Sequence, residues 1–109
     1  MVEELVTLET AKLLKEKGFP QRKYFINVST LHNCYKYLSV PPQSVAQRWL
    51  RETKDLHIEI CYSDKLFWHY EILSVSNHVS VGLANRPTIH YNTYEEALEA
   101  GIQEALKLI

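Results

Sequence analysis

Residues 41–60, PPQSVAQRWLRETKDLHIEI, contain two kinds of hydrophobic spacing in close succession. The first part carries small and apolar side chains at helical spacings of three and four: Ala46, Trp49, Leu50 and Thr53. The second part alternates in the manner of a strand from Leu56 onward. Because so short a connection turns the helix back on the strand that it leads into, the stretch predicts a helix packed on a sheet. This is the basic unit of an α+β fold.

A β-hairpin is predicted directly after this helix. Residues 56–62 and 66–73 both alternate between apolar and polar side chains, and the polar residues 63–65 connect them. Residues that face each other must lie on the same face of the sheet, so paired numbers have an even sum. We expect a sum of 128, which gives the pairs Ile58–Tyr70, Ile60–Trp68, Glu59–His69 and His57–Glu71.

The rest of the chain adds two helices and further strands. Helices are predicted over about residues 8–17 and 94–108, the second beginning with a capping box formed by Thr93 and Glu96. Strands are predicted over 23–28, 34–40 and 79–83, and 88–91 can extend the sheet. We therefore expect one α+β domain over residues 1–109. It has an antiparallel sheet of three to five strands, with helices packed chiefly on one face.

A stripe of small residues runs along the last helix at a spacing of four: Ala97, Gly101 and Ala105. A glycine inside a helix costs about 1 kcal/mol relative to alanine, so close approach of another backbone would explain it. The sequence leaves two partners open, the sheet of the same molecule or the helix of a second copy in a homodimer.

Composition places the chain among ordinary globular proteins. It has 109 residues, of which 46% are hydrophobic and 23% charged, with three glycines and four prolines. No apolar run approaches the roughly 20 residues of a membrane helix, and the acidic start lacks the features of a signal peptide. We expect a cytoplasmic protein with no membrane partner. Its two cysteines, Cys34 and Cys61, are then expected to be free thiols.

Positive charge is concentrated in the middle of the chain. Residues 21–54 hold six basic residues and one acidic residue, whereas the remainder holds twelve acidic and six basic residues. Such asymmetry indicates an anionic partner. The alternative is that the charges are solvated, or that the acidic ends attract the basic middle.

A nucleic-acid interface is one interpretation of this basic segment. The side chains that would contact phosphates and stack on bases are Arg48, Arg51, Lys54, Gln47, Tyr35 and Tyr37. A helix-turn-helix is disfavoured, because residues 31–38 prefer a strand and the turn, SVPPQ, would lack the small residue that such turns often carry. The favoured interpretation is a support helix with Trp49 and Leu50 buried against the sheet. Arg48 and Arg51 would be exposed and paired with carboxylates four residues on.

A polar face of the predicted hairpin is the second candidate site. It brings together two histidines, two carboxylates and a thiol: His57, Glu59, Cys61, His69 and Glu71. These groups can bind zinc, but the same face is the natural solvent face of an antiparallel sheet, where opposite charges pair across strands. Without a compact ligand motif, we expect pairing and assign no metal and no cofactor.

An enzyme is the weakest interpretation. Cys34 or Cys61 could act as a nucleophile beside a histidine base. The sequence has no glycine-rich phosphate loop and no nucleophile elbow. No catalytic residue is assigned.

Two blocks of the sequence, residues 41–60 and 91–109, resemble a family of short, uncharacterised proteins found in phages and prophages of gut bacteria. The matching residues are Gln43, Ser44, Trp49, Leu50, Arg51, Glu52, His57, Ile58, Tyr94, Glu95, Glu96, Ala97 and Leu98. Pro42 and Leu56 stand where the family pattern has threonine and isoleucine. The resemblance implies a phage-associated α+β domain and brings no activity.

Three functions are therefore carried forward. The preferred one is a small non-enzymatic accessory or protein-interaction module, with an unknown protein partner or a second copy of itself. The alternative is a nucleic-acid-binding module that uses residues 21–54. A small enzyme is the third.

Overall fold

The computed structural model describes residues 4–27, 37–62, 67–81 and 90–109. Within these ranges the chain forms three helices and five strands. The helices are α1 (Leu8–Glu16), α2 (Gln43–Thr53) and α3 (Tyr94–Lys107). The strands are β1 (Phe25–Asn27), β2 (Tyr37–Ser39), β3 (Leu56–Tyr62), β4 (Trp68–Ser74) and β5 (Val79–Ser80). The predicted α+β class is confirmed, and the helices lie close to their predicted bounds.

The strands belong to two antiparallel sheets. One has the order β3-β4-β5, and the other pairs β1 with β2. The chain after β2 bonds to the N-terminal segment instead of the larger sheet: the Val6 N–H donates to the Pro41 carbonyl at 3.0 Å, and the Gln43 N–H donates to the Glu4 carbonyl at 2.8 Å. Prolines offer no N–H for further pairing, so the smaller sheet ends here. Part of the predicted strand 88–91 lies outside the described residues, and Tyr91 forms an isolated bridge to Trp68.

The predicted hairpin register is wrong by two residues. The residue numbers of each pair sum to 130 instead of 128. The observed pairs are Ile58–Ile72, Ile60–Tyr70, Glu59–Glu71, Cys61–His69 and His57–Leu73. A shift of two residues leaves every side chain on its predicted face. The predicted pairs Glu59–His69 and His57–Glu71 become diagonal neighbours, which lie about 7–8 Å apart in a regular sheet.

The register is set at both ends of the hairpin. At one end, the Asp55 carboxylate accepts hydrogen bonds from the Ser74 hydroxyl at 2.8 Å and from the Ser76 N–H at 2.9 Å. These bonds place Leu56 opposite Ser74. At the other end the ring of Tyr62 lies 4.6 Å from the ring of Trp68, its partner in the ladder. The predicted connection, residues 63–65, lies outside the described residues.

The core lies between the helices and one face of the larger sheet. Ile58 and Ile72 are fully buried on this face. A Cβ atom added to Gly101 would lie 2.6 Å from the Ile58 Cγ2 atom and 3.2 Å from the Tyr70 ring. The small residue is therefore needed where α3 meets its own sheet, which is the first of the two explanations predicted for the stripe.

A polar hub ties the three helices together. The Glu99 carboxylate of α3 accepts hydrogen bonds from the Thr10 hydroxyl of α1 and, at 2.9 Å, from the Gln43 amide of α2. Thr10 is fully buried and Gln43 nearly so. Because buried polar groups are costly when they lack partners, this hub fixes the relative positions of the helices. Sequence periodicity gave no sign of it.

Candidate functional site

An open groove lies beside helix α2, on the side away from the larger sheet. Its volume is about 250 Å³. We call it the basic groove, and its lining residues are Phe19, Pro20, Arg22, Lys23, Tyr24, Val45, Arg48, Trp49 and Glu52. Residues 19–24 form one wall and α2 forms the other.

The first wall begins where α1 ends. Gly18 adopts a positive φ of 101°, which glycine accepts without cost. The Phe19 N–H then donates to the Leu14 carbonyl at 2.9 Å, so the chain turns back at the predicted position. Phe19 is buried, and its ring meets the Trp49 ring edge to face at 5.5 Å between centroids. This aromatic contact closes the floor of the groove.

Buried polar groups hold the remainder of this wall in place. The Gln21 side chain accepts a hydrogen bond from the Ser39 N–H at 2.9 Å, and the Ser39 hydroxyl donates to the Lys23 carbonyl at 2.5 Å. The Val40 N–H donates to the Tyr24 carbonyl at 2.8 Å. Ser39 is fully buried. The wall therefore has a defined shape even though it contains almost no regular secondary structure.

Tyr24 occupies a strained position at the end of this wall. Its φ is 62°, in the left-handed region that non-glycine residues rarely enter. Such a conformation costs on the order of 1–3 kcal/mol and persists only where surrounding contacts impose it. The side chain is 43% exposed, so the surrounding bonds hold a largely solvent-accessible tyrosine at the groove.

Helix α2 supplies the second wall. Leu50 is fully buried, as predicted, whereas Trp49 is only partly buried and packs against Phe19. The predicted burial of Trp49 is confirmed only in part: the side chain packs against the hydrophobic core, but it is partly exposed and its ring contacts Phe19 at the end of α1. The Lys54 ammonium lies 5.5 Å from the centre of the Trp49 ring, within cation–π range. Trp49 is therefore a groove residue.

The charge of the groove is predominantly positive. Three cationic side chains line it, those of Arg22, Lys23 and Arg48, together with one carboxylate, that of Glu52. Within the part of the chain that the structure describes, the three cationic side chains make no hydrogen bond or ion pair. The predicted pairing of Arg48 with Glu52 is thus not formed. Positive charges beside the apolar Phe19 and Trp49 suit a ligand that has both an anionic group and an apolar group.

The predicted nucleic-acid contacts do not form one surface in the groove. Arg48 is exposed and lines it, but the Gln47 amide donates to the Ile58 carbonyl of β3 at 2.7 Å. Arg51 is partly buried and lines a different cavity. Tyr37 is 52% exposed on β2, and Tyr35 lies outside the described residues. Only Arg48 among the predicted side chains meets the newly found Arg22 and Lys23.

The second predicted cluster lies on one face of the larger sheet, as expected. Glu59 and Glu71 are directly opposite each other, and Cys61 lies opposite His69. Partial burial, followed by the nearby carboxylates of Glu71 and Glu59, raises the pKa of the Cys61 thiol. Across residues 4–27, 37–62, 67–81 and 90–109, no three potential ligands lie close enough to hold a metal ion. Cys61 is a free thiol, and Cys34 is outside the described residues.

None of the described helices is long and apolar enough to cross a membrane. The fold and the groove together define a small α+β protein with one basic groove over an aromatic floor. No protein-family model, no curated protein and no solved structure matches the chain significantly.

Proposed function

We propose that the protein is a small non-enzymatic interaction module, and that its basic groove binds an acidic segment of a protein partner. The segment would carry one large apolar side chain among acidic residues. The observation that carries the proposal is the placement of Arg22, Lys23 and Arg48 around the apolar floor formed by Phe19 and Trp49. The phage association implied by the sequence resemblance stays a prediction.

The size of the groove supports this class of ligand. At about 250 Å³ it is smaller than the roughly 300–1,000 Å³ of typical small-molecule and cofactor sites. The groove has room for one large side chain of the partner, and the acidic residues that flank this side chain would stay outside the groove. Apolar anchors of this kind, surrounded by polar contacts, supply most of the binding energy in protein interfaces. The cations at the rim would select an acidic segment and accelerate its association.

The placement of charge favours a peptide over nucleic acid. Single-stranded nucleic acid is usually bound along a continuous basic path with exposed aromatic rings. Arg48 and Arg51 line separate cavities, and Gln47 is engaged by β3. The Trp49 ring is flanked by Phe19 and Lys54. The nucleic-acid interpretation rests on Arg48, Lys54 and Tyr37, which are all exposed, and it becomes an outcome of the test.

The test compares two kinds of ligand on the full chain. One is a synthetic peptide with a single leucine flanked by glutamates, and its control peptide has glutamines in place of the glutamates. The other is a mixed pool of single-stranded DNA and RNA. Binding is measured by calorimetry and by tryptophan fluorescence at two salt concentrations. We expect the acidic peptide to bind and the glutamine peptide to bind much more weakly.

Variants assign the binding to the groove. Arg22→Gln combined with Arg48→Gln should weaken acidic-peptide binding about tenfold or more, since charge-assisted hydrogen bonds contribute about 1.5–3 kcal/mol each. The control, Arg51→Gln, removes one charge from the same helix but outside the groove, and it should leave the affinity unchanged. Equal losses in both proteins would contradict the proposal. The other outcome is that the unchanged protein binds the nucleic-acid pool, and that the double variant binds it more weakly and with a shallower salt dependence. That result would replace the proposal with the nucleic-acid interpretation.

A further inference from the structure

A second cavity lies at the far end of the larger sheet, away from the basic groove. Its volume is about 370 Å³. We call it the sheet-end cavity, and its lining residues are Arg51, His57, Leu73, Ser74, Val75 and His78. They come from the end of α2, the start of β3, the end of β4 and the turn before β5. The two cavities share no lining residue.

Backbone and side-chain bonds give this cavity a fixed frame. The Asp55 carboxylate accepts from the Ser74 hydroxyl, the Ser76 N–H and, at 2.6 Å, the Ser76 hydroxyl. The Val75 N–H donates to the Asp55 carbonyl at 3.1 Å, and the His78 N–H donates to the Ser74 carbonyl at 2.9 Å. The turn that carries His78 is thus tied to the start of β3.

Two residues in this frame have strained backbones. Asp55 has a φ of 61° and His78 a φ of 58°, although neither is glycine. Asparagine, aspartate and histidine enter this region more readily than other residues, but the conformation still needs support from its surroundings. The turn places His78 at the cavity. Strained residues of this kind cluster at ligand sites.

The cavity is lined by one guanidinium, two imidazoles and one hydroxyl, those of Arg51, His57, His78 and Ser74. Arg51 offers a guanidinium, and His57 and His78 each offer an imidazole N–H. The buried Nδ1 atom of His57 has no hydrogen-bond partner in the described part of the chain. The nearest carboxylate, that of Asp55, is held by the two serines, which lower its pKa. Glu59 and Glu71 form the next pair on the same sheet face, two residues along each strand from the pair of His57 and Leu73.

We propose that the sheet-end cavity binds a phosphate-type oxyanion, with any apolar part of the ligand against Leu73 and Val75. The donors come from three separate elements, α2, β3 and the β4–β5 turn, and an anion with several oxygens can accept from all of them. A cation is disfavoured by Arg51. The planar fork of an arginine is also well suited to phosphate. This inference does not depend on the function proposed for the basic groove.

The full chain, labelled with ¹⁵N, tests this by NMR titration with inorganic phosphate, with ionic strength held constant by chloride. We expect saturable shifts in the Arg51 side-chain N–H signal and in the His57 and His78 ring signals. Acetate, which has only two oxygens, should bind about tenfold more weakly. Acetate binding as tight as phosphate binding, or shifts that do not saturate, would overturn the proposal.

Matched variants locate the bound anion. Arg51→Gln and His78→Asn should each weaken phosphate binding about tenfold, the loss expected for one charge-assisted hydrogen bond. Asparagine is chosen at position 78 because it tolerates the left-handed backbone. The control, Lys12→Gln, removes an exposed positive charge outside both cavities and should bind phosphate as tightly as the unchanged protein. Amide spectra outside the cavity report that each variant is folded. Phosphate affinity that is unchanged in both variants would overturn the proposal.

Discussion

The region between α3 and the larger sheet and the region around residues 19–24 are stabilised in different ways. In the first, fully buried aliphatic side chains such as Ile58, Ile72 and Ile102 belong to one hydrophobic cluster. In the second, Gln21 and Ser39 hold the backbone by hydrogen bonds, and Tyr24 stays largely exposed. Apolar packing resists cavities, whereas a polar frame can leave a groove open. The protein therefore keeps its candidate binding site outside its densest core.

The largest effect should come from a cavity in the apolar region. Ile72→Ala should lower the free energy of unfolding by about 2–5 kcal/mol, because the side chain is fully buried on the core face of β4. The control, Val79→Ala, removes methyl groups from a side chain that is 52% exposed and should change stability by less than about 0.5 kcal/mol. Urea denaturation measures both. Similar losses in the two variants would show that the region is not the main core.

Overpacking at the contact between α3 and the sheet should have the next largest effect. Gly101→Ala adds a methyl group that would lie 2.6 Å from the Ile58 side chain. Alanine would stabilise an isolated helix by about 1 kcal/mol, but we expect a net loss of about 1–3 kcal/mol from the clash. Ile58→Leu tests the cause, because leucine lacks the Cγ2 methyl and Gly101→Ala should therefore cost less in that background than in the unchanged protein. Increased stability of Gly101→Ala alone would contradict the close contact.

A smaller effect on stability, with a larger effect on binding, is expected in the polar region. Ser39→Ala removes the donor to the Lys23 carbonyl and should cost about 1–2 kcal/mol. It should also weaken acidic-peptide binding, because the wall of the basic groove loses its support. Ser80→Ala, on an exposed position of β5, is the control. A Ser39→Ala protein with unchanged peptide affinity would show that the groove does not need this frame.

The smallest effect on stability should come from acidification, which acts on Asp55 at the end of the larger sheet. Hydrogen bonds from Ser76 and Ser74 lower the pKa of Asp55 in the folded protein. The stabilisation is therefore complete above the unfolded pKa of about 4 and is lost as the pH falls through the lower folded value. Asp55→Asn, which tolerates the backbone there, should remove this contribution. The difference in unfolding midpoint between the two proteins should shrink as the pH falls below about 4, and a constant difference would contradict the assignment.

Local patterns were enough to predict the apolar region. The spacing in residues 43–53 and the capping box at Thr93 predicted α2 and α3, because both signals lie within a few residues of each other. The register was missed by two residues because Asp55 fixes it through Ser74 and Ser76, a contact between distant parts of the chain. Alternation defines the face of a strand but allows any shift by two.

The candidate site was predicted only in part, for a related reason. The excess of positive charge in residues 21–54 indicated the correct part of the chain. It could not show that Arg22 and Arg48 line one groove while Arg51 lines another. That arrangement depends on how Phe19 returns to meet Trp49 after α1. The contact of Trp49 with Phe19 was not predicted, because helical spacing alone does not show which neighbour each side of α2 contacts.

A charge exchange across the basic groove tests the central claim most directly. Arg48→Glu should weaken binding of the glutamate-flanked peptide, and a matching peptide with one glutamate replaced by lysine should regain affinity for this variant. The measurement is the coupling energy of the double-mutant cycle between position 48 and the exchanged peptide residue. We predict a coupling of about 1 kcal/mol or more that favours opposite charges and decreases with salt. A coupling near zero, with the same loss for every peptide, would show that acidic segments do not bind in this groove.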